Sequence, residues 1–201
     1  MLAVAPLRGS GSAHLTRAMR SLEALFLIGV EGVTEIWLVR HADCYRDMVV
    51  VDDPPLSALG RDQAQRLAGR VEKAEPVAVY TSPYRRAVET ARAITDQITV
   101  DDRLVEMALE ISEGGILDFK ETPDSAVTRM RGVIDDIVKE HEGRRVVVVS
   151  HGASIVACLA DVMQLEPGRL RLLPYYTSIS MVRVLGDRRM VGALGDVAHL
   201  E

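Results

Sequence analysis

The sequence predicts an α/β fold in which helices cover both faces of a mainly parallel sheet. Short apolar runs alternate along the chain with longer segments whose apolar residues recur at the helical period. The four valines of Val146 to Val149 are typical of a central strand that is buried on both faces. Because strands separated by helices form βαβ crossovers, the sheet that they build lies between two layers of helices.

The predicted elements begin with a strand over Thr34 to Val39 and a helix capped by Ser57. A second strand, Val77 to Tyr80, runs into Ser82-Pro83, a hydroxyl followed by proline that is typical of a helix start. The other predictions for this half are a loop over Asp52 to Pro55, an end of the first helix at about Lys73, a helix to about Gln97, a strand over Ile98 to Val100 and a loop over Asp101 to Gly115.

The second half of the chain continues the alternation. A helix that opens at Pro123 or Asp124 carries one apolar stripe with charged residues opposite. Another helix, Ala153 to Gln164, follows the valine strand. Two strand-like runs, Ser178 to Leu185 and Arg189 to Leu194, flank a Gly-Asp pair and predict a closing hairpin.

Length and composition favour one globular domain. A chain of 201 residues can bury a sizeable core, and we expect that domain over 34–201. The net charge of -5 argues against nucleic-acid binding, and no apolar run approaches the roughly 20 residues of a membrane span. The two cysteines, Cys44 and Cys158, are too few for a disulfide framework, so we expect a cytoplasmic protein. No pattern in the sequence indicates an oligomeric state.

Residues 1–33 form a separate N-terminal extension in this prediction. Arg8 to Ala13 is rich in glycine and serine and is expected to be flexible, and Ala13 to Ile28 is weakly helical. Two arginines before an apolar run are reminiscent of a signal peptide, but Glu23 interrupts the pattern and no clear small-residue cleavage site follows. We therefore expect an accessory helix or a translation start at Met19.

Two of the predicted strands end in a histidine. Arg40-His41 follows the first strand, and Ser150-His151-Gly152 follows the valine strand. Because ligands collect at the carboxyl ends of parallel strands, the two imidazoles can face each other across one crevice. A neutral imidazole can attack phosphorus directly, while a neighbouring arginine keeps it deprotonated and binds phosphoryl oxygens. The pair indicates a phosphate site, although Arg40-His41 alone is more often a surface pair.

Three further residues are candidates for this site. Arg86 lies at the start of the helix after Ser82-Pro83, where free backbone N–H groups favour an anion, although Arg85 or Arg86 is expected to be solvated. His151 can stabilise charge on the transferring oxygens, or it can be a buried structural histidine. Glu106 lies in a loop and can protonate a leaving oxygen and later activate water, although loop glutamates are usually solvated.

Together these motifs resemble the histidine phosphatase superfamily, also called the phosphoglycerate-mutase-like family. The similarity runs from about Glu35 to Ala193, and its motifs in order are Arg40-His41-Ala42, Pro55 to Ala64, Ser82 to Ala91, Arg103 to Glu106 and Ser150-His151-Gly152. The resemblance implies a three-layer α/β/α sandwich and chemistry without metal or organic cofactor. It also implies that His41 is the phosphorylated nucleophile, that Glu106 is the proton donor, and that the phosphate pocket consists of Arg40, Arg86 and His151.

The chain departs from the family pattern at a few positions. Cys44 stands where threonine or serine is frequent, and it is either a packed side chain or a redox-sensitive thiol. Asp47 stands where asparagine is often found, and a carboxylate there would repel phosphate. Glu110 and Glu113 are rivals of Glu106 for the role of proton donor, although the Leu-x-Glu spacing favours Glu106.

We therefore predict a phosphatase that hydrolyses phosphate monoesters, or a phosphorylated protein side chain, through phospho-His41. One alternative is a phosphoglycerate mutase-type phosphotransferase, which the short segment between Gly115 and Asp124 opposes because it leaves no room for a long covering loop. The other alternative is a catalytically silent module that binds phosphorylated ligands. Retention of both histidines and both matching arginines opposes that second alternative.

Overall fold

A six-stranded sheet organises the computed structural model, which describes residues 9–44, 53–107, 109–111, 117–166 and 168–201. In chain order the strands are β1 (Thr34–Arg40), β2 (Ala78–Thr81), β3 (Thr99–Val100), β4 (Leu109–Ile111), β5 (Leu117–Phe119), β6 (Arg145–Ser150), β7 (Ile179–Leu185) and β8 (Arg188–Asp196). The sheet order is β3-β2-β6-β1-β7-β8. The pairs from β3 to β1 are parallel, whereas β7 pairs antiparallel with β1 and β8. The predicted mainly parallel sheet and closing hairpin are confirmed.

The described part of the chain contains five α-helices. They are α1 (Gly9–Leu25), α2 (Ala58–Glu72), α3 (Arg85–Ile94), α4 (Pro123–Glu140) and α5 (Gly152–Val162), with short 3-10 turns at Asp102–Leu104 and Ala198–Leu200. The hydroxyl of Ser57 accepts a hydrogen bond from the Gly60 N–H at 3.0 Å, so Ser57 is the N-cap of α2 as its sequence predicts.

The apolar core lies on both faces of the sheet. Neighbouring residues of a strand point to opposite faces, so Ile36 and Trp37 of β1 enter different clusters. Ile36 and Val146 pack with α4 and α5, whereas Trp37 and Val147 pack with α2 and α3. The valine strand is therefore buried on both sides, and the predicted three-layer sandwich is confirmed.

The helix after β2 begins later than its sequence predicts. The Ser82 N–H donates to the Val149 carbonyl at 3.0 Å, so Ser82 still pairs with the sheet. Its hydroxyl accepts a bond from the Tyr84 N–H at 3.3 Å, and α3 begins only at Arg85. The serine that resembles a helix cap therefore belongs to the strand end.

The prediction of a loop over Asp101 to Gly115 is wrong in part. A 3-10 turn occupies Asp102–Leu104, and β4 pairs with β5 in a separate two-stranded antiparallel sheet. Both strands are three residues long and alternate apolar with acidic residues. A run this short carries too few repeats for its period of two to be recognised.

Contacts within the chain divide it into two compact units, Met1–Glu31 and Gly32–Glu201. The first contains α1, which begins four residues before the expected helical start at Ala13. The second contains all the described strands and the other four helices. Within the described residues, no helix combines the length and the apolarity needed to cross a membrane.

Candidate active site

The two histidines lie side by side because their strands are neighbours. In the parallel pairing of β1 with β6, Arg40 is opposite Ser150, and the His41 N–H donates to the Ser150 carbonyl at 2.9 Å. The imidazole of His41 therefore lies 5.1 Å from that of His151, measured between ring centroids. Both side chains are buried.

Hydrogen bonding places a lone pair on one nitrogen of His41. The Nδ1–H donates to the Ala42 carbonyl at 2.8 Å, which leaves Nε2 unprotonated. The guanidinium Nε of Arg86 donates to that Nε2 at 3.3 Å. Burial, with a smaller contribution from the charges of Arg86 and Arg40, lowers the pKa of His41 from 6.5 to about 3. The ring is thus neutral across the physiological range, with its nucleophilic nitrogen turned toward Arg86.

The buried Arg86 connects the two imidazoles. Besides its bond to His41, it donates from Nη2 to Nδ1 of His151 at 3.3 Å. Because Nδ1 of His151 accepts this bond, its Nε2 carries the proton and donates to the Ser82 hydroxyl at 2.8 Å. Burial, and next the proximity of His41, hold the pKa of His151 well below its usual value. Both bonds from Arg86 to imidazole are long, so phosphoryl oxygens can replace them.

Arg40 reaches the same region from the end of β1. Its Nη1 donates to the Pro174 carbonyl at 2.7 Å, and its guanidinium carbon lies 4.1 Å from the ring centroid of Tyr176. The buried Nε has no hydrogen-bond partner among the described atoms. A Cβ on Gly152 would lie 3.6 Å from that Nε, so Arg40 lies against the first residue of α5. A buried, unpartnered N–H here can donate to an anion.

Glu106 lies at the N-terminus of α5, the helix that follows His151. Its Oε1 accepts hydrogen bonds from the N–H groups of Met107 at 2.9 Å and Ser154 at 3.1 Å, and its Oε2 accepts one from Ala153 at 3.4 Å. A carboxylate is favoured at this end of a helix. The loop that carries Glu106 is therefore anchored beside His151.

The side chains of the two rival proton donors lie outside the described part of the chain. Glu110 lies on β4, but its side chain falls outside the described part, and Glu113 and Asp47 fall outside the described residues altogether. Of the adjacent arginines, Arg86 is buried, whereas Arg85 is exposed and pairs with Glu89 at 2.7 Å. The structure thus brings together His41, His151, Arg86 and Arg40, with Glu106 anchored beside His151.

Comparison with known proteins identifies the family of the chain. The family model described as histidine phosphatase superfamily (branch 1) matches residues 36–119 and 112–197 of the chain. The chain belongs to the histidine phosphatase superfamily. The predicted family is confirmed, and so is the predicted enzyme class, a phosphatase.

Proteins similar to this histidine phosphatase carry two kinds of name. A metal-independent phosphoserine phosphatase of Arabidopsis thaliana is 29% identical, with 84% of this chain and 84% of its own length covered. A probable phosphoglycerate mutase GpmB of Yersinia enterocolitica is 26% identical, with 83% and 95% covered.

Solved structures share its fold. YhfR of Bacillus stearothermophilus superposes with a TM-score of 0.67 at 27% identity, over 84% of this chain and 100% of its own. Phosphoserine phosphatase of Entamoeba histolytica, solved in complex with 3-phosphoglyceric acid, gives a TM-score of 0.71 at 20% identity, over 84% and 100%.

The Pro55 to Ala64 motif of this histidine phosphatase supports the segment after His41. The Asp43 N–H donates to Oε1 of Gln63 at 2.9 Å, and the Ser57 hydroxyl donates to a carboxylate oxygen of Asp43 at 2.6 Å. A Cβ on Gly60 would lie 1.9 Å from the Asp43 carbonyl oxygen. The motif therefore fixes the backbone two residues beyond His41 and contributes no group to the chemistry.

Replacing Gly60 by alanine is expected to lower the free energy of unfolding by about 2–3 kcal/mol, because the new methyl group would displace the backbone of Asp43. Urea denaturation measures this loss. Gly69→Ala is the matched control, since it lies on the same helix with no described atom within 4 Å of the added Cβ. We expect the control to gain up to about 1 kcal/mol, and an equal loss in both variants would contradict the explanation.

Two tyrosines that sequence reasoning missed flank the histidines. Tyr176 lies over Arg40, and its ring centroid is 5.8 Å from that of His41. Tyr84 lies 4.7 Å from the guanidinium carbon of Arg86 and 5.2 Å from the His151 ring centroid. Tyr84 falls within the Ser82 to Ala91 motif, so the sequence offered a signal for it. No local pattern marks Tyr176.

The structure also places the two cysteines that the sequence analysis named. Cys44 and Cys158 are both buried thiols. Burial raises the pKa of the Cys158 thiol to about 12. In the described part of the chain, no group of three or more His, Cys, Asp or Glu residues is arranged to hold a metal ion.

Proposed function

We propose that the protein hydrolyses small phosphate monoesters through a phosphohistidine intermediate on His41. The observation that carries this proposal is the position of Arg86, which donates to the lone pairs of two buried, neutral imidazoles, at His41 Nε2 and His151 Nδ1. Such an arrangement combines an unprotonated nucleophile with a guanidinium whose N–H groups can donate to phosphoryl oxygens instead of to the imidazoles.

In the first step, Nε2 of His41 attacks phosphorus and the bond to the ester oxygen breaks. Arg40 and Arg86 hold the phosphoryl oxygens and stabilise their negative charge in the transition state, and His151 joins them by turning its Nε2–H from Ser82 to a phosphoryl oxygen. Glu106 donates a proton to the leaving oxygen, so the alcohol departs neutral and the carboxylate remains. The support for the position of Glu106 is its contact with N–H groups in the first turn of α5, the helix that His151 caps, and the same N–H groups stabilise the carboxylate that remains after the proton is transferred.

In the second step, the carboxylate of Glu106 removes a proton from water as the water attacks phosphorus. The N–P bond breaks, its electron pair returns to Nε2, and inorganic phosphate is released. Glu106 is then protonated again and His41 is neutral, so one cycle consumes one water and restores the enzyme. The low pKa of His41, about 3, supports its role as a good leaving group and as a neutral nucleophile.

The proposed substrate class, small phosphate monoesters, rests on the names of similar proteins and on the length of the segment that could cover the pocket. Similar proteins are named for phosphoserine and phosphoglycerate, and one neighbour was solved with 3-phosphoglyceric acid. The short segment between Gly115 and Asp124 favours hydrolysis over mutase transfer, because a mutase must keep its intermediate from water. A phosphorylated protein side chain fits the same chemistry. We place the protein in the cytoplasm, on the support of two buried cysteine thiols.

The test is to trap the intermediate. The protein is mixed with p-nitrophenyl phosphate, phosphoserine, 3-phosphoglycerate or a phosphopeptide and quenched in alkali, in which phosphohistidine survives. Peptide mapping is expected to find the phosphoryl group on His41. Label on another residue would overturn the mechanism. Phosphate binding without turnover would indicate a silent module, and efficient transfer on phosphoglycerate with a bisphosphorylated primer would indicate a mutase.

A further inference from the structure

An acidic side chain shares the key arginine of the phosphate pocket. Oδ1 of Asp53 lies 3.4 Å from Nη1 of Arg86, and Oδ2 accepts a hydrogen bond from the Arg85 N–H at 2.7 Å. The Asp53 side chain is 41% exposed, whereas that of Arg86 is 7% exposed. Asp53 is therefore the more exposed partner of this pair, and the alcohol part of an ester that extends from Arg86 toward solvent would pass it. The two-step hydrolysis gives it no role.

Phosphate binding would leave the charge of Asp53 poorly balanced. The described side chain with which Asp53 forms an ion pair is Arg86, and a bound phosphoryl group would draw on that same guanidinium. The side chain of the adjacent Arg85 instead pairs through its Nε with Glu89 at 2.7 Å, and only its backbone N–H bonds to Asp53. Glu89 is held in turn by the Leu56 N–H at 2.8 Å.

The sum of the charges around a bound phosphate also indicates an excess of negative charge at Asp53. Arg40 and Arg86 supply two positive charges, and the two histidines are neutral because burial lowers their pKa values. A phosphate dianion cancels the two arginines, and Asp53 then leaves a net negative charge at the mouth. Between unit charges several ångströms apart near a protein surface, such an interaction changes binding by about tenfold after screening.

From this arrangement we infer that Asp53 is a specificity-determining residue that favours phosphate esters with an ammonium group on the alcohol part over those with a carboxylate. The inference rests on the proposed phosphatase function and names the substrate class of the same site. The ammonium group would lie beside Asp53 and pair with its carboxylate while Arg86 binds the phosphate. A carboxylate in the same position would meet Asp53 with like charge.

Three small substrates of similar length test the inference. Phosphoethanolamine carries an ammonium group, 2-phosphoglycolate a carboxylate, and ethyl phosphate no charge on the alcohol part. The quantity measured is kcat/KM for each, and the selectivity is the ratio of phosphoethanolamine to 2-phosphoglycolate. We expect Asp53→Asn to lower this ratio by about tenfold. Asparagine retains an oxygen that can accept the Arg85 N–H, so the start of α3 is preserved.

Asp62→Asn is the matched control. Asp62 lies on α2, is exposed, and pairs with Arg66 on the same helix, so its loss changes the net charge equally without touching the pocket. We expect this variant to keep the wild-type ratio. An Asp53→Asn ratio within about twofold of wild type, or an equal shift in Asp62→Asn, would overturn the inference. Ethyl phosphate, whose alcohol part is uncharged, gives the rate without either charge. Absence of His41-dependent hydrolysis of all three esters would overturn the phosphatase proposal itself, whereas hydrolysis with an unchanged ratio would overturn only the inference about Asp53.

Discussion

Alanine in place of His41 is expected to reduce kcat for phosphate esters by about 10⁴-fold or more, because it removes the nucleophile from the first step. We expect that the nearby His151 does not replace it, because its ring centroid lies 5.1 Å from that of His41, too far for attack on a phosphorus atom held at the His41 position. Arg40 and Arg86 remain in the variant. Inorganic phosphate should therefore still bind, and the loss should appear in kcat rather than in ligand affinity.

Steady-state hydrolysis of p-nitrophenyl phosphate measures this loss, and phosphate binding by calorimetry checks that the pocket survives. His141→Asn is a suitable control because His141 contacts Thr34, at the opposite end of β1 from His41. It should retain most of the activity. Residual turnover above about 1% of wild type in His41→Ala would contradict a phosphohistidine pathway.

Residues at the ends of regular elements were predictable from the sequence. The position of His41 and His151 follows from two strand ends in a parallel sheet, and the observed pairing of Arg40 with Ser150 realises that geometry. Arg86 follows from a helix start, and the family resemblance rather than the local pattern distinguished it from Arg85. What separates these two arginines is burial, which depends on how α3 packs against the sheet.

Residues on irregular segments were not predictable in the same way. Glu106 came only from the family resemblance, because its contacts with α5 join a loop to a helix 47 and 48 residues further along the chain. Tyr176 and Asp53 lie on segments with no periodic pattern, and each meets its arginine through a contact distant in sequence. Local pattern carries no information about such contacts.

Glutamine in place of Glu106 is expected to lower kcat by about 10³-fold, because both steps need its carboxyl group. The rate of the first step should fall less with p-nitrophenyl phosphate than with ethyl phosphate, because nitrophenolate leaves without a proton. Hydrolysis of the intermediate needs a base with either substrate. The variant should therefore release about one nitrophenol per site in a fast burst and then turn over slowly, with phospho-His41 accumulating.

Rapid quench with p-nitrophenyl phosphate measures the burst, and alkali-stable label on His41 measures the intermediate. Glutamine retains an oxygen that can accept the N–H groups of Met107 and Ser154, so the loop should stay anchored at α5. Glu110→Gln and Glu113→Gln are the matched controls, because each removes one of the rival carboxyl groups. If Glu110→Gln gave the burst and Glu106→Gln did not, the proton would be assigned to Glu110, and the contacts of Glu106 with α5 would be purely structural.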